Sequence, residues 1–541
     1  MSLSISIYDT LIIFGYFALI LTIGAYFARK GKNSTEYFLA GRNVGWMAVG
    51  ASLFASNISG EHFIGLAGSG ASSGLAVGHF EWLASIIVLF LGWIFVPFYL
   101  KSGVFTMPEF LEKRFNRASR MYLTSVSLVA YILTKISVTL FAGGLLLNKI
   151  LGLDMVTSAV MLVIITGLYT IAGGLGAVIY TELVQAVVLI GGSALLTFLG
   201  LKEVGGFSGL EAKLPHEFFS MFKPMSDPDF PWTGILFGAP ILGIWYWCTD
   251  QFIVQRVLSA KNIHHARSGA IFAGFLKVLP VFILVLPGLI AIVLFPEISG
   301  DEAFPTLVTS HLLPVGIKGI VIAGLLAAVM SSLASCFNSS STLFTMDFYR
   351  HFRPLANERE LVLVGRLATA VMVMLGIMWV PLIHSISSQL FIYLQSVQAY
   401  ISPPIAAVFI LGVLWKRVNG RGAIYALITG AIIGGLRLAL EIMFKKSGFS
   451  LPGMDWFVQM NFLHFALFLF IISVAVLTLL SLQDEQPPAE KIAGLTISGS
   501  RLQQSALNMA VGTENPWWMR INIALSVALV SLIILICIIF F

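Results

Sequence analysis

Residues 55–65 read ASNISGEHFIG and lie inside an apolar run otherwise long enough to cross a bilayer. Ser56, Asn57, Ser59, Gly60, Glu61 and His62 fill its centre. Such side chains are costly in lipid, so they must face protein or a water-filled cavity. Gly60 and its polar neighbours favour local unwinding, which would release the carbonyls of Ala55 and Ile58 from their helical partners. Carbonyls freed at membrane mid-depth are ligands for a small cation, as in the broken helices of transporters. Packing of small residues against a neighbouring helix accounts for the serines and the glycine. It does not account for Asn57, Glu61 and His62 together.

A second polar stretch, AAVMSSLASCFNSSSTLFTMDFY at 327–349, complements the first. Ala328, Ser331, Ser332 and Ser335 stand at i, i+3, i+4 and i+7, one face of a helix. Adjacent serine hydroxyls are hard oxygen ligands suited to a sodium ion. Alone the motif could equally be a small-residue packing face. Opposite the freed carbonyls of 55–58 it completes a cage of oxygens. A third anomaly, GIWYWCTDQ at 243–251, puts Gly243, Tyr246 and Trp247 on one face, followed by Thr249, Asp250 and Gln251. An aromatic pair beside a polar break suits a binding platform as well as it suits a core or an interfacial belt.

The elements that must position these groups are membrane spans. The 541 residues are 58% hydrophobic and 11% charged, the composition of a polytopic membrane protein. Apolar runs of spanning length lie near 7–28, 45–70, 74–100, 119–147, 155–173, 178–200, 231–255, 268–296, 315–347, 362–383, 389–415, 422–443, 458–482 and 517–540, numbered here as spans 1 to 14. With the N-terminus outside, the inside loops and their edges hold most of the 32 Lys and Arg, so both termini are expected outside a plasma or inner membrane. The net charge of +6 then reflects an anionic lipid surface, not nucleic acid. Span 1 has no positive n-region and is followed by Arg29 and Lys30, as a retained anchor is. Cys248, Cys336 and Cys537 fall inside spans, without metal spacing and with no sign of a disulfide framework.

Along the chain, span 1 reads as peripheral, with no buried charge. GLAGSGASSG at 65–74 has no strand before it, so it is a close-packed hairpin and not a dinucleotide loop. Lys135 reads as a snorkelling or helix-packing lysine, and Lys277 as a partner for a carboxylate or a cavity. Gly173, Gly174 and Gly176 form a tight turn between spans 5 and 6. The 201–230 segment reads as a structured external cap. Pro403 and Pro404 should kink span 11. Arg437 and Glu441 are an i, i+4 pair. The inside loop 483–516 is expected to be poorly ordered. No nucleophile–base pair, metal cluster or phosphate loop is visible, which speaks against an enzyme.

Broken spans 2 and 7 lie five apart, and a five-helix unit followed by its copy must be inverted because five is odd. Two inverted units, each with a broken first helix, are a common transporter architecture. The expected organisation is a peripheral span and loop at 1–44, a first repeat at 45–200, an external loop at 201–230, a second repeat at 231–421, and peripheral spans at 422–541.

The chain resembles the sodium–solute symporter family, and within it the sodium–glucose cotransporter branch. The resemblance covers nearly the whole length. It is carried by SLFASNISGEHFIGLAGSG, GHFEW, TMPEFLEKRF, YTIAGGLGAVIYTELVQ, WYWCTDQFIVQRVLSAKN, SSLASCFNSSSTLFTMDFY and PPIAAVFILGVLWKRVN together. It implies an all-α, leucine-transporter-like fold that works by alternating access. It implies a sodium site from the carbonyls of Ala55, Ile58 and Ala328 and the hydroxyls of Ser331 and Ser332. The sugar positions carried over are Asn57, His62, Glu81, Lys277, Gln395, Tyr246 and Trp247. At the position of His62 the bacterial galactose carriers have glutamine, so this chain sides there with animal glucose carriers. Tyr246 is implied as the inner gate, and Leu66, Phe80 and Phe391 as the outer closure. Members that carry two sodium ions have an aspartate at the position of Glu182 and hydroxyls at both Ala334 and Ser335. A second site from Glu182 and Ser335 would be short of a ligand, and one sodium per sugar is expected.

Pyranose chemistry suits the same residues. Glu81, Gln395, Asn57, His62 and Lys277 match ring hydroxyls and Tyr246 matches the apolar face; buried polar groups of this kind reject substrates lacking the matching hydroxyl. Glucose or galactose is the expected cargo. The alternatives are another solute, such as myo-inositol, sialic acid, proline or an anion, and a sugar sensor or sugar-gated leak that does not couple transport. The oligomeric state is not readable.

Overall fold

The computed structural model describes residues 6–29, 33–298, 300–379, 390–447, 453–497 and 516–540. Its named elements are all helical. Eleven of the described helical stretches are long and apolar enough to cross a membrane. Met155–Val204 contains both span 5 and span 6, and His62–Ser102 contains the second half of span 2 and all of span 3. Span 7 and the first half of span 2 escape the length criterion because both spans are interrupted. The chain is thus an all-α, multi-pass membrane protein whose spans follow the apolar runs.

Two reversals depend on glycine. Gly174 (φ 57°, ψ −154°) separates spans 5 and 6, and Gly74 (φ 77°, ψ −153°) ends Ala67–Ser73 and turns the chain into span 3. A Cβ at Gly74 would also meet the carbonyl oxygen of Phe218 at 2.3 Å, and one at Gly174 that of Tyr37 at 2.5 Å. Both conformation and close approach require the missing side chain.

The most extensive helix pairing joins Met155–Val204 to Ile317–Leu343, which is span 9, and the first half of span 2, Trp46–Asn57, packs on Ile263–Leu276 of span 8. Span 9 is buried along almost its whole length. Its N-terminus is held by span 1: Gly316 and Gly319 N–H donate to Asp9 Oδ1 at 2.8 and 2.7 Å. Asp9 is buried, so span 1 does carry a buried charge, contrary to the sequence reading. The helix macrodipole and unsatisfied amides make that carboxylate favourable there.

Several spans carry π-helical turns, among them His62–Leu66, Tyr131–Ile136, Trp245–Thr249 and Val281–Val285. The first three contain residues singled out above, and the fourth begins four residues after Lys277, in keeping with the habit of such turns to mark functional sites. Span 11, Leu390–Leu414, continues through Pro403 and Pro404. Arg437 donates to the carbonyls of Phe457 and Met460, while Glu441 accepts from Tyr400. These contacts tie span 12 to its neighbours, where the sequence suggested only a local i, i+4 pair. The 201–230 segment folds against the helix ends: Met221 N–H donates to Phe540 O at 3.1 Å, and His79 Nε2–H to Met221 O at 2.8 Å. The last residues of span 10 (380–383), the first of span 11 (389) and 498–515 of the 483–516 loop lie outside the described residues.

Candidate functional site

Trp46–Asn57 stops at Ile58, whose backbone is extended (φ −76°, ψ 111°), and the chain resumes as the π-helical turn His62–Leu66. The last carbonyls of a helix that stops this way lose their i+4 donors. Span 9 faces the break. Ser331 Oγ lies 2.8 Å from the Ala55 carbonyl and 2.9 Å from that of Ala328. Ser332 Oγ, one position on, donates to the Ser56 carbonyl at 3.1 Å. Ala55, Ile58, Ala328, Ser331 and Ser332 are all buried. Oxygens of Ala55, Ala328 and Ser331 therefore form one cluster at the break, with Ser332 beside it.

A polar cavity of about 60 Å³ adjoins this break, lined by spans 2, 3, 7, 8 and 11. Asn57, His62, Glu81, Lys277, Tyr246, Trp247 and Gln395 all line it, as do Phe80 and Phe391. Lys277 Nζ donates to Glu81 and, at 2.5 Å, to Asn57 Oδ1. Asn57 Nδ2 donates to Tyr246 Oη at 3.2 Å. Ser59 N–H donates to His62 Nδ1 at 3.3 Å, which leaves Nε2 facing Glu81 Oε1 at 3.5 Å. Lys277 reaches the cavity because span 8 is interrupted there: Ile263–Leu276 ends one residue before it, and Pro280 follows. Room for a few waters at ~10–15 Å³ each contrasts with the roughly 300 Å³ or more of a typical ligand pocket. In this conformation Lys277, Glu81, Asn57 and Tyr246 hydrogen-bond to one another.

Aromatic rings bound the cavity on two sides. On one, Phe80 packs edge-to-face on Phe391 with centroids 5.6 Å apart, and Phe230 of the 201–230 segment lies 6.1 Å from Phe80. Leu66 is buried nearby, next to Gly65, which touches the Phe391 backbone. On the other, Tyr246 lies 5.4 Å from Trp247. The ammonium of Lys135 sits 4.1 Å from the Tyr246 ring centroid and 4.4 Å from that of Phe252. It is also 3.9 Å from Asp250 Oδ2, while the Tyr131 hydroxyl donates to Oδ1. Lys135 is therefore neither snorkelling nor mere packing: it is a buried cation beneath the aromatic floor, with its own carboxylate.

Glu182 and Ser335 also meet. Glu182 accepts from Ser335 and Ser52, from Ser56 Oγ at 2.8 Å and from Arg256 at 3.0 Å. Arg256 donates to Ser335 as well. Arg256, the residue after the apolar run that ends at 255, is fully buried between spans.

Sequence reasoning missed four contributors. Glu61 stood in the key motif and lines the cavity without having been given a role, and Gln398, one turn from Gln395, lines it too. The i, i+3 spacing of the two glutamines was the available signal. Phe230 and Arg256 could not be placed, because their partners lie far away in sequence.

The family model described as the sodium:solute symporter family matches residues 37–430. The chain is 42% identical to the sodium/glucose cotransporter 4 of Mus musculus over 92% of this chain and 78% of that one. It is 42% identical to the sodium/myo-inositol cotransporter 2 of Oryctolagus cuniculus, over 90% and 78%. A solved Na+-coupled sialic acid symporter in a substrate-bound, outward-open state superposes with a TM-score of 0.77 at 22% identity, over 89% of this chain and 99% of that one. That likeness establishes the fold, with its inverted repeats and discontinuous helices. The broken helices, the oxygen cluster between them and a relative this similar over most of its length lead to one placement: the chain belongs to the sodium:solute symporter family, in the branch that includes the sodium/glucose cotransporters.

Proposed function

We propose that this chain couples sodium moving down its gradient to uptake of a monosaccharide, glucose or galactose, by alternating access. The observation that carries the reading is the Ser331 hydroxyl between the Ala55 and Ala328 carbonyls, at the same break that presents Asn57 and His62 to the polar cavity. Ala55, Ile58, Ala328, Ser331 and Ser332 are the sodium ligands in this reading. An ion there fixes the unwound segment, and that segment carries two of the cargo's hydrogen-bonding partners. Sodium and sugar then each bind better in the presence of the other, which is coupling in the thermodynamic sense.

The sugar binds by exchange. Its hydroxyls replace the bonds that Lys277, Glu81, Asn57 and His62 now make to one another, joined by Gln395. Tyr246 and Trp247 meet its apolar face. Because each buried group is satisfied before and after, a solute without matching hydroxyls would leave several unpaired, at ~1–3 kcal/mol each. Phe80 and Phe391, with Leu66 behind them, close the outer side, and Tyr246 closes the inner. Residues 45–200 and 231–421 are the repeats that rock against each other, flanked by 1–44 and 422–541, with 201–230 as an external cap. The loop charges set both termini outside.

One sodium crossing 100 mV supplies about 2.3 kcal/mol, and a tenfold concentration gradient about 1.4 kcal/mol more, together enough for roughly 500-fold accumulation. Purified protein in proteoliposomes with an inward sodium gradient should accumulate labelled glucose or galactose, and should stop when sodium is replaced by choline. The hydroxyl-matching set also fits a cyclitol, and a myo-inositol cotransporter is among the relatives, so labelled myo-inositol is the necessary comparison. Accumulation of inositol alone would move the cargo from hexose to polyol. Sugar-dependent current without accumulation would replace the symporter with a leak or sensor.

A further inference from the structure

The cavity and its floor hold two lysines and three carboxylates among the described residues, and the charges pair unevenly. Lys277 donates to Glu81 and, at 2.5 Å, to Asn57 Oδ1. Lys135, at the floor, has Asp250 Oδ2 at 3.9 Å. The third carboxylate, Glu61, lines the same cavity. Among the described residues its close polar contact is with His62 Nδ1, at 3.7 Å. That nitrogen accepts the Ser59 N–H at 3.3 Å, so it has no proton to offer Glu61. An imidazole that accepts at Nδ1 carries its one proton at Nε2, which here faces Glu81 Oε1 at 3.5 Å, and it has no charge. Glu61 thus presents a carboxylate to the cavity without a counter-charge of its own. Only 13% of its side chain is exposed, so little water solvates it. A charge held this way is costly until a partner arrives.

We infer, building on the hexose reading of this cavity, that Glu61 is a specificity residue that fits the site to a sugar carrying an ammonium group, so that amino-substituted hexoses belong to its cargo. The hydroxyl-matching side chains hold the ring. The ammonium brings the donor and the positive charge that Glu61 lacks, and a hydrogen bond between two ionised groups is among the strong ones. Lys277 opposes such a cargo less than its charge suggests, because Glu81 is in contact with it. A neutral hexose can donate a hydroxyl to Glu61, but it leaves the charge uncompensated. A hexuronate sets a second negative charge against the first. One cavity therefore grades sugars by charge: cationic first, neutral next, anionic last.

The test is competition for sodium-driven uptake of labelled glucose or galactose in proteoliposomes, at a pH that keeps amines protonated. The competitors are the amino-deoxy derivatives of the transported hexose, one for each hydroxyl position, their N-acetyl counterparts and the hexuronate. At least one amino derivative should compete better than the parent hexose, N-acetylation should abolish that advantage, and the hexuronate should compete worst. Glu61→Gln keeps the size and removes the charge. The preference for the amino derivative over the parent should then fall by about tenfold or more, since unit charges in contact inside a protein interact by more than the energy of a factor of ten. The preference is a ratio within one variant, so a general loss of transport does not move it. Exclusion of every amino derivative by the wild type, or the same ratio in wild type and Glu61→Gln, overturns the inference and leaves hexose transport standing. Absence of sodium-driven uptake of either hexose refutes the sugar reading itself, and the inference with it. Should Glu61→Gln not fold, the order of amino derivative, parent and hexuronate in the wild type decides alone.

Discussion

The two broken helices open their breaks with nearly the same backbone angles and surround them with opposite chemistry. Ile58 (φ −76°, ψ 111°) begins the interruption of span 2, which includes Ser59, and Asp250 (φ −76°, ψ 126°) is the one extended residue that interrupts span 7. At Ile58 the neighbours are neutral oxygens: the carbonyls of Ala55 and Ser56 and the hydroxyls of Ser331 and Ser332. At Asp250 the break supplies its own charge and finds its own counter-ion. The side chain caps Phe252 N–H at 3.1 Å, takes the Tyr131 hydroxyl and lies 3.9 Å from Lys135. The same backbone device thus serves two purposes. Neutral oxygens around a break can receive an ion that comes and goes. A carboxylate with an ammonium 3.9 Å away already has its counter-charge within the protein.

The largest expected effect breaks the self-sufficient side. Asp250→Ala leaves Lys135 buried without its carboxylate, and loss of one partner of a buried pair costs about 3 kcal/mol or more. A clear fall in the melting temperature of the detergent-solubilised protein is expected, with partial recovery in the double variant Asp250→Ala with Lys135→Met. An unchanged melting temperature in Asp250→Ala would show that the second break is not held by this pair.

Next comes the responsive side, where stability and ion binding should separate. Ser331→Ala removes a hydroxyl that touches two carbonyls, whereas Ser332→Ala removes one that, among the described residues, bonds to the Ser56 carbonyl. Both should weaken sodium activation of uptake, at ~1–3 kcal/mol per lost ligand, or about five- to 150-fold, with Ser331→Ala the more severe. Melting temperature should move far less than in Asp250→Ala. Equal sodium activation in wild type and Ser331→Ala would remove the first break from the ion site.

A third, comparable step moves from ion to cargo. Gln395 lines the cavity opposite the break, and Gln395→Ala should lower sugar affinity or transport by about five- to 150-fold. Sodium binding in the absence of sugar should stay as it was. If sodium binding falls equally, Gln395 belongs to the ion site and the separation of the two functions is wrong.

How much of this could be read from the chain differs between the two breaks for a physical reason. Span 2 declared itself because Asn57, Glu61 and His62 interrupt an apolar run, and the serine face of span 9 has helical spacing. Both signals are local. Asp250 was visible in the same way, but its partners were not. Lys135 stands alone in span 4, and only the fold brings it beneath Tyr246. Arg256 directly follows the apolar run that ends at 255, and only the fold shows it on Glu182. Asp9 looked unremarkable in an apolar span until its oxygen met the amides of Gly316 and Gly319. Charge pairs between spans leave no periodicity behind, so sequence reports that a buried charge exists and not what it is for.

Tyr246 belongs to both breaks, and the smallest predicted effect isolates its two contacts. Its hydroxyl accepts from Asn57 Nδ2 at 3.2 Å, on the side of the first break. Its ring faces the ammonium of Lys135, on the side of the second. Tyr246→Phe removes only the first contact, a hydrogen bond with a net value of about 0.5–1.5 kcal/mol, so sugar affinity should fall two- to about tenfold with melting temperature nearly unchanged. Tyr246→Ala removes both, including a cation–π contact worth up to ~2 kcal/mol when desolvated, and strips the floor of the sugar site. That variant should lose accumulation while sodium binding survives. The order of the two variants is the informative result. If Tyr246→Phe already abolishes accumulation, the hydroxyl and not the ring closes the inner side, and the two breaks communicate through the Asn57 hydrogen bond. If Tyr246→Ala accumulates sugar normally, the ring is no gate at all. Graded loss, mild in phenylalanine and complete in alanine, is what a ring held by the fixed charge of one break and adjusted by the responsive segment of the other must give.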